Sequence, residues 1–307
     1  MGVAIFGVLT TAVGLLVSAR LQTWTMTTLY KSENGERLVQ QRYQEFLTHW
    51  PAPNKQFRVP TREGDTFVVA CGNETAPPLL LFHGGGTNSA MWIDAVALWA
   101  AHFRVYAIDM IGESGLSSPS RPSFASEAYA LWLDDVMQAL SLERASIVGA
   151  SLGGWLALDY ATHRPERVDR LVLLGPLGVG RQKISFLFKV MPLLILGDWG
   201  RHKALQIIIG PAPPNATQVD FMSVVQEHFR SRMVALPIFP DHALKQLTMP
   251  VMAIIGGEDA IVDSADTKRR MELNVARPEI RYLPEVGHGI FDQWASILEF
   301  VLRPKPP

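Results

Sequence analysis

The segment at residues 149–154 reads Gly-Ala-Ser-Leu-Gly-Gly and offers a serine hydroxyl for nucleophilic chemistry. An apolar run at 145–148 precedes it, and apolar residues with helical spacing follow it from Trp155. A strand, then G-x-S-x-G, then a helix is the context in which a tight turn lifts a nucleophilic serine clear of the backbone. Because G-x-S-x-G also occurs by chance as a glycine-rich turn, the rest of the sequence must decide whether this serine is catalytic.

Three other segments carry groups that could assist a serine nucleophile. They are a His-Gly-Gly-Gly loop at 83–86, an acidic residue at Asp259 and a histidine at His288, and each lies just past an apolar run that predicts a strand. A glycine-rich loop can aim backbone N–H groups at an oxyanion, and a histidine can activate a serine. The chain order Ser151, Asp259, His288 is the order of the α/β-hydrolase triad. Together these segments favour catalysis.

On these residues the chain resembles α/β-hydrolase-fold serine hydrolases of the carboxylesterase, haloperoxidase and C–C hydrolase group. The resemblance runs from about Gln56 to Leu302. The segment 109–115, Asp-Met-Ile-Gly-Glu-Ser-Gly, resembles the family's D-x-x-G-x-G-x-S loop, with Ser114 where the second glycine often stands. The resemblance implies a mostly parallel, eight-stranded sheet flanked by helices, with a helical cap inserted between strands 6 and 7.

The resemblance also implies a role for each site residue. Ser151 is the expected nucleophile, His288 the base, and Asp259 the acid that holds the imidazole in the required tautomer. The backbone N–H groups of Gly85 and Leu152 are the expected oxyanion hole, and the N-terminus of the helix that begins at Leu152 adds to it.

Two further residues near the predicted site could compete for a catalytic role. Asp263 is the rival for the acid, but Asp259 is preferred because it directly follows its strand and the Gly-Gly pair at 256–257. His83 lies beside the site, where the resemblance implies that it fixes the loop geometry. Gly84 and Gly86 are expected to shape that loop rather than to donate.

Strand and helix patterns alternate along most of the chain, which predicts a parallel sheet covered on both faces. The connection from Gly175 to Thr248 exceeds 70 residues, far more than a crossover helix needs. We therefore predict a core domain over 26–175 and 249–307 and an apolar helical cap over 176–248. An amphipathic helix at 32–50 is predicted to pack on the edge of the core.

Composition limits the class of protein. The 307 residues are 48% hydrophobic, enough for a large core, and the net charge of −1 without a basic stripe gives no reason to expect nucleic acid. The lone Cys71 excludes an internal disulfide and is predicted to be a small buried hydrophobe. No Cys/His cluster has zinc spacing, so neither a metal nor a cofactor is predicted. The sequence does not address the oligomeric state.

The first 25 residues form an apolar N-terminal segment outside the predicted catalytic fold. Residues 1–19 carry no charged side chain. Three interpretations are open: a membrane anchor, a signal peptide, or a spurious extension ahead of a start at Met26. The nearby basic residues, Arg20, Lys31 and Arg37, all follow the uncharged stretch 1–19, which favours a cytoplasmic catalytic domain. We expect the protein in the cytoplasm or tethered to the cytoplasmic membrane face rather than secreted.

The predicted reaction is hydrolysis of carboxylic esters of fairly hydrophobic small molecules through an acyl-serine. Ser151 excludes the dehalogenases and epoxide hydrolases of the same fold, because their alkyl-enzyme ester needs a carboxylate nucleophile. A C–C bond (diketone) hydrolase or a perhydrolase would use the same triad and stays an alternative. So does a small-molecule receptor or signalling protein of low turnover on this fold.

Overall fold

A computed structural model describes residues 28–211, 213–232 and 234–304. The predictions made for residues 1–25 lie outside the described residues.

One twisted sheet forms the centre of the described chain. Its strands are β1 Asn54–Val59, β2 Thr66–Cys71, β3 Pro78–Phe82, β4 Arg104–Ile108, β5 Ala145–Ala150, β6 Val168–Leu174, β7 Val251–Gly256 and β8 Glu279–Leu283. Their order across the sheet is β1-β2-β4-β3-β5-β6-β7-β8. The β1–β2 and β2–β4 pairs are antiparallel, and every other pair is parallel.

The central strands are apolar on both faces because helices cover both sides of the sheet. All residues of β4, β5 and β7 are buried, so these strands appear in the sequence as continuous apolar runs. The helices are α1 Glu33–Thr48, α2 Ile93–Ala100, α3 Ala128–Ala139, α4 Leu152–His163, α5 Ser185–Leu194, α6 Gly197–Ile209, α7 Ala216–His228, α8 Asp241–Leu244, α9 Ser264–Asn274 and α10 Trp294–Leu302. Two clusters of buried side chains form the core, one on each side of the sheet.

A helical cap enters between β6 and β7. It contains α5, α6 and α7, and a proline-containing segment between Ile209 and Ala216 separates the first two helices from the third. The predicted fold class, including the position of the cap between strands 6 and 7, is confirmed. The exact domain boundaries stay a prediction. The short α8 falls inside the predicted cap range, yet Arg270 of α9 pairs with its Asp241 at 2.5 Å, so the end of that range packs on the core.

The first described segment contacts both the core and the cap. Ser32 caps α1 by accepting a hydrogen bond from Gly35 N at 3.1 Å. Tyr43 of α1 lies in the core, where its ring stacks on Phe221 of α7 at 6.4 Å. Ahead of the helix, Lys31 N donates to His228 O at 2.8 Å, so the chain is hydrogen-bonded to the end of α7. The helix predicted at 32–50 therefore packs on the core edge and also supports the cap.

Candidate active site

The strand β5 and the helix α4 present Ser151 at a strained turn. Ser151 has φ +52° and ψ −111°, an unusual backbone conformation for a residue with a side chain. A Cβ on Gly149 would lie 2.3 Å from Gly153 O, and one on Gly153 would lie 2.2 Å from Phe82 O. Only glycine fits at these two positions, which explains the G-x-S-x-G spacing. The geometry is that of a nucleophile elbow.

Loops after β7 and β8 bring the other two predicted residues to this serine. Ser151 Oγ lies 2.7 Å from His288 Nε2, and His288 Nδ1 lies 2.7 Å from Asp259 Oδ2. His288 and Asp259 are buried, and Ser151 is half-buried and lines a pocket. The structure thus joins the three side chains in one hydrogen-bonded chain that ends at an accessible hydroxyl.

Asp259 has the surroundings of a carboxylate that stays ionised. Burial acts to raise its pKa, but His288 and two backbone N–H groups outweigh burial, so the pKa of Asp259 lies below its usual value. The N–H groups of Ile261 and Val262 donate to Asp259 Oδ1 at 2.7 and 2.9 Å. With Oδ1 occupied, Oδ2 accepts the Nδ1–H of His288. This leaves Nε2 of the neutral imidazole free to accept the serine proton.

The rival acid has a different role. Asp263 caps α9, where its Oδ1 accepts from Asp266 N at 3.0 Å. Its other oxygen lies 3.3 Å from the guanidinium of Arg181. Asp263 is therefore engaged at the start of a helix, and it is Asp259 that contacts the histidine.

The loop after β3 places backbone donors opposite the elbow. A Cβ on Gly85 would lie 3.4 Å from the Leu152 side chain, so the two predicted donors are neighbours. Leu152 is the first residue of α4, and its N–H therefore has no intrahelical acceptor. The N–H groups of Gly85 and Leu152 thus stay the predicted oxyanion hole beside Ser151.

His83 holds this loop from beneath. Its Nε2 accepts from Met110 N at 2.9 Å, and its Nδ1–H donates to Gly84 O at 2.9 Å. Burial lowers the pKa of His83 against the effects of Asp109 and of the bond to Gly84 O, and the bond accepted from Met110 N requires an unprotonated Nε2. His83 thus fixes the loop, as the resemblance implied, and its ring is engaged away from Ser151.

Comparison with known proteins agrees with this geometry. A family described as the alpha/beta hydrolase fold matches residues 77–194. The chain is 41% identical to the uncharacterized carboxylesterase nap of Bacillus subtilis, over 89% of this chain and 93% of that protein. It is 31% identical to the carboxylesterase YbfK of the same organism, over 83% of this chain and 88% of that protein.

The chain belongs to the α/β-hydrolase family.

Solved structures extend this likeness to three dimensions. The crystal structure of the naproxen esterase of Bacillus subtilis matches 89% of this hydrolase and 98% of that chain, with a TM-score of 0.77 and 30% identity. That of YbfK, also named CesB, gives a TM-score of 0.77 over 88% and 97% of the two chains. The predicted resemblance to serine hydrolases of the carboxylesterase group is confirmed.

The pocket of this hydrolase lies between the elbow and the cap. It has a volume of about 330 Å³ and is lined by Ser151, His288 and the 84–86 loop on the core side. Its apolar lining comes from both core and cap: Phe124, Leu177, Ile208, Ile209, Phe221, Met222, Val225, Leu236 and Ile290. A small, fairly hydrophobic molecule fits such a cavity.

Glu113 of the 109–115 loop lies at the site but was not among the predicted site residues. This buried side chain lines the pocket, and its Oε2 accepts from Gly86 N at 2.6 Å. Burial raises the pKa of Glu113 to about 7, against the effects of Gly86 N–H, Arg121 and Arg232. The N–H of Gly86 is therefore held by a carboxyl group and does not donate into the site, which agrees with the prediction that Gly86 shapes the loop. The sequence shows a glutamate in the 109–115 loop, but it does not show that this side chain points toward Gly86.

Ser114, which stands where the family often has a glycine, also connects the 109–115 loop to the loop after β3. Its Oγ donates to Thr87 O at 3.0 Å, and its carbonyl accepts from the Asn88 side chain at 3.1 Å. The 109–115 loop is thus hydrogen-bonded to the loop after β3 at both Glu113 and Ser114.

Arg232 and Gln218 are two of the polar cap residues that line the pocket. Arg232 stacks on Phe124 with its guanidinium carbon 4.0 Å from the ring centroid. Gln218 is buried, and its Nε2 makes no hydrogen bond with any residue that the structure describes. Each is a polar group at which a substrate could be oriented. The cap offered no pattern in sequence that marked them.

We expect the free energy of unfolding to fall more steeply with rising pH in wild type than in the Glu113→Gln variant. A carboxyl whose pKa rises from 4.5 to about 7 on folding stabilises the protein below pH 4.5, and that contribution is lost as pH rises through 7. Glutamine stays neutral and keeps an acceptor for Gly86 N–H. Between about pH 5 and about pH 8, the free energy of unfolding measured in urea should fall by about 2 kcal/mol more in wild type than in the variant. Equal losses would contradict the shifted carboxyl. Asp159, whose pKa is raised to about 6, titrates in both proteins and so cancels.

Neither a metal-binding group nor a membrane-spanning helix is found in the part of the chain that the structure describes. No three His, Cys, Asp or Glu side chains there are grouped to hold a metal ion. Over the same residues, no helix is long and apolar enough to cross a bilayer.

Proposed function

We propose that this hydrolase is a carboxylesterase in which Ser151, His288 and Asp259 act as nucleophile, base and orienting acid on a neutral, fairly hydrophobic ester. The observation that carries the proposal is the 2.7 Å contact from Ser151 Oγ to His288 Nε2 at the floor of an apolar pocket. The relatives that span most of the chain are carboxylesterases, which confirms the prediction of an enzyme acting on ester bonds.

The residues define each step of the reaction. Ser151 Oγ attacks the ester carbonyl while its proton passes to His288 Nε2. The carbonyl oxygen becomes an oxyanion facing the N–H groups of Gly85 and Leu152, each worth about 3 kcal/mol of the barrier. His288 then protonates the leaving alkoxide, and an acyl-Ser151 ester remains. Water, deprotonated by His288, attacks that ester and releases the acid and the free serine.

A panel of p-nitrophenyl esters of graded acyl length tests this proposal. We expect fast multiple turnover that rises from acetate to medium-length chains, because the pocket lining is apolar over a volume of about 330 Å³. A single burst without turnover would favour the low-turnover receptor. Slow ester turnover with fast cleavage of a diketone would favour the C–C hydrolase.

The cap is proposed to set substrate choice, and Met222 of α7 is the test residue. Met222 is half-buried and lines the pocket, so Met222→Ala enlarges the cavity on the cap side. We expect kcat/KM for long acyl chains to rise several-fold relative to that for acetate, which leaves this space empty. A preference change of 10-fold corresponds to about 1.4 kcal/mol.

Val224 of the same helix provides the matched control. It is half-buried but packs against the core cluster rather than lining the pocket. Val224→Ala should therefore leave the order of chain-length preference unchanged. Equal losses on all esters in Met222→Ala would indicate a stability effect and contradict the role in specificity.

We further propose that residues 1–25 associate with the cytoplasmic membrane face and take no part in catalysis. The first backbone contact to the cap within the described chain, Arg230 N to Leu29 O at 2.8 Å, lies past Met26. A protein that begins at Met26 keeps this contact and should match the full chain in kcat/KM on soluble esters. In fractionated cells a larger share of the full chain than of the shortened protein should enter the membrane pellet. Lost activity in the shortened protein, or equal fractionation of both, would contradict this proposal.

A further inference from the structure

The first two cap helices, together with the residues that flank them, expose a row of large apolar side chains to solvent. The row, here called the cap stripe, consists of Ile184, Phe188, Met191, Ile195, Leu196 and Trp199, with exposed fractions of 70, 77, 52, 84, 54 and 66%. Ile184, Phe188, Met191 and Ile195 are spaced by four, three and four residues, the spacing of one helix face. Packing among the residues that the structure describes does not bury this stripe, and α5 has a separate buried contact at Val190.

Exposed apolar patches of this kind mark interaction surfaces. Thirteen large hydrophobic side chains are exposed in the described chain, and six of them belong to the cap stripe. The others, such as Leu98, Leu273 and Leu302, are scattered over other elements. The concentration within residues 184–199, rather than the number alone, points to an interaction surface.

The charges around the stripe are mainly positive. Residues 181–203 carry five basic side chains and one acidic one, although the whole chain has a net charge of −1. Three of the five, Lys183, Lys189 and Lys203, make no ion pair with any residue that the structure describes, and Lys189 and Lys203 are exposed. Apolar and aromatic side chains with lysines beside them are the composition of an interfacial membrane-binding helix.

The start of the described chain contacts the third cap helix. Lys31 Nζ donates to Glu227 O at 2.7 Å, and the Arg201 guanidinium lies 3.4 Å from the Glu227 carboxylate. Arg201 follows Trp199 by two residues on α6, so the two side chains point to different faces of the helix and this contact lies away from the cap stripe. Lys203, four residues after Trp199, lies on the same face of α6 as Trp199.

We propose that the cap stripe docks on an anionic lipid surface, with its apolar side chains entering the headgroup region and Lys189 and Lys203 contacting lipid phosphates. The proposal does not depend on the ester that the site cleaves. The helix α6 carries Trp199 near its start and Ile208 and Ile209, which line the pocket, at its end. Docking would therefore hold the pocket close to molecules dissolved in the bilayer.

An environment-sensitive label on the full chain tests the proposal directly. Cys71, the lone cysteine, is fully buried, so a cysteine introduced on the surface can be labelled selectively. Phe188→Cys and, as a second position, Ile195→Cys would each carry a nitrobenzoxadiazole label. Addition of phosphatidylglycerol vesicles should shift the emission to the blue and raise its intensity several-fold. Phosphatidylcholine vesicles or high salt should reduce this effect, because the lysine contribution is electrostatic.

Leu273→Cys on α9 is the matched control, because Leu273 is as exposed as the stripe residues at 66% but lies outside the cap. Its label should stay in water. Normal kcat/KM on p-nitrophenyl acetate confirms that each labelled protein is folded. Two outcomes overturn the proposal. If the protein sediments with vesicles but the stripe labels do not shift, the N-terminal segment alone binds lipid. If the labels are already blue-shifted without vesicles, another part of this chain or a second copy covers the stripe.

Discussion

Replacing Ser151 by alanine is expected to lower kcat by on the order of 10⁵- to 10⁶-fold on every ester of the panel. The hydroxyl is the group that forms the acyl-enzyme, and His288 Nε2, 2.7 Å away, has no proton to accept once it is removed. The remaining rate should still exceed that in water, because Gly85, Leu152 and the pocket can bind an oxyanion formed by direct water attack. A fluorophosphonate should label wild type once, at Ser151, and should not label the variant.

Ser231 gives the matched control for this experiment. It is a second serine that lines the same pocket, but no hydrogen bond joins it to His288 within the described residues. Ser231→Ala should keep both probe labelling and most of the wild-type kcat. An adduct on Ser231, or full activity in Ser151→Ala, would show that the elbow is only a structural turn.

The fold could be predicted well from sequence because its strands are buried on both faces. Continuous apolar runs such as 79–82 and 251–255 indicate buried parallel strands when helical patterns separate them. The sharp turn at the elbow was equally predictable, since the sequence has Gly149 and Gly153 at the two positions where no Cβ fits. In both cases the local sequence itself carries the constraint.

What could not be predicted depends on contacts between distant segments. Glu113 reaches Gly86 across 27 positions in the chain, and Tyr43 OH donates to Asp109 Oδ1 across 66. Neither segment contains a pattern that names its partner. The cap illustrates the same limit, because its apolar residues divide between pocket, core and solvent. Phe221 and Phe188 are alike in the sequence, yet Phe221 lines the pocket while Phe188 is 77% exposed.

The assignment of the acid was the one choice between near neighbours, and a pair of variants tests it. Asp259→Asn is expected to lower kcat by about 10⁴-fold. Its Oδ1 can still accept from Ile261 N and Val262 N, so the loop should keep its shape. Its amide N–H₂ would then face His288 Nδ1, which must become the acceptor. The imidazole proton moves to Nε2, where it points at Ser151 and blocks proton transfer from the hydroxyl.

Asp263→Asn makes the same chemical change four residues later and should leave kcat near that of wild type. Asparagine caps helices as well as aspartate does, so α9 keeps its first hydrogen bond, and the loss is limited to the ion pair with the exposed Arg181. Thermal unfolding of both variants should lie close to that of wild type, which separates a catalytic from a structural loss. If Asp263→Asn were the more damaging change while both proteins stayed folded, the hydrogen bond from His288 to Asp259 would not be the one that catalysis uses.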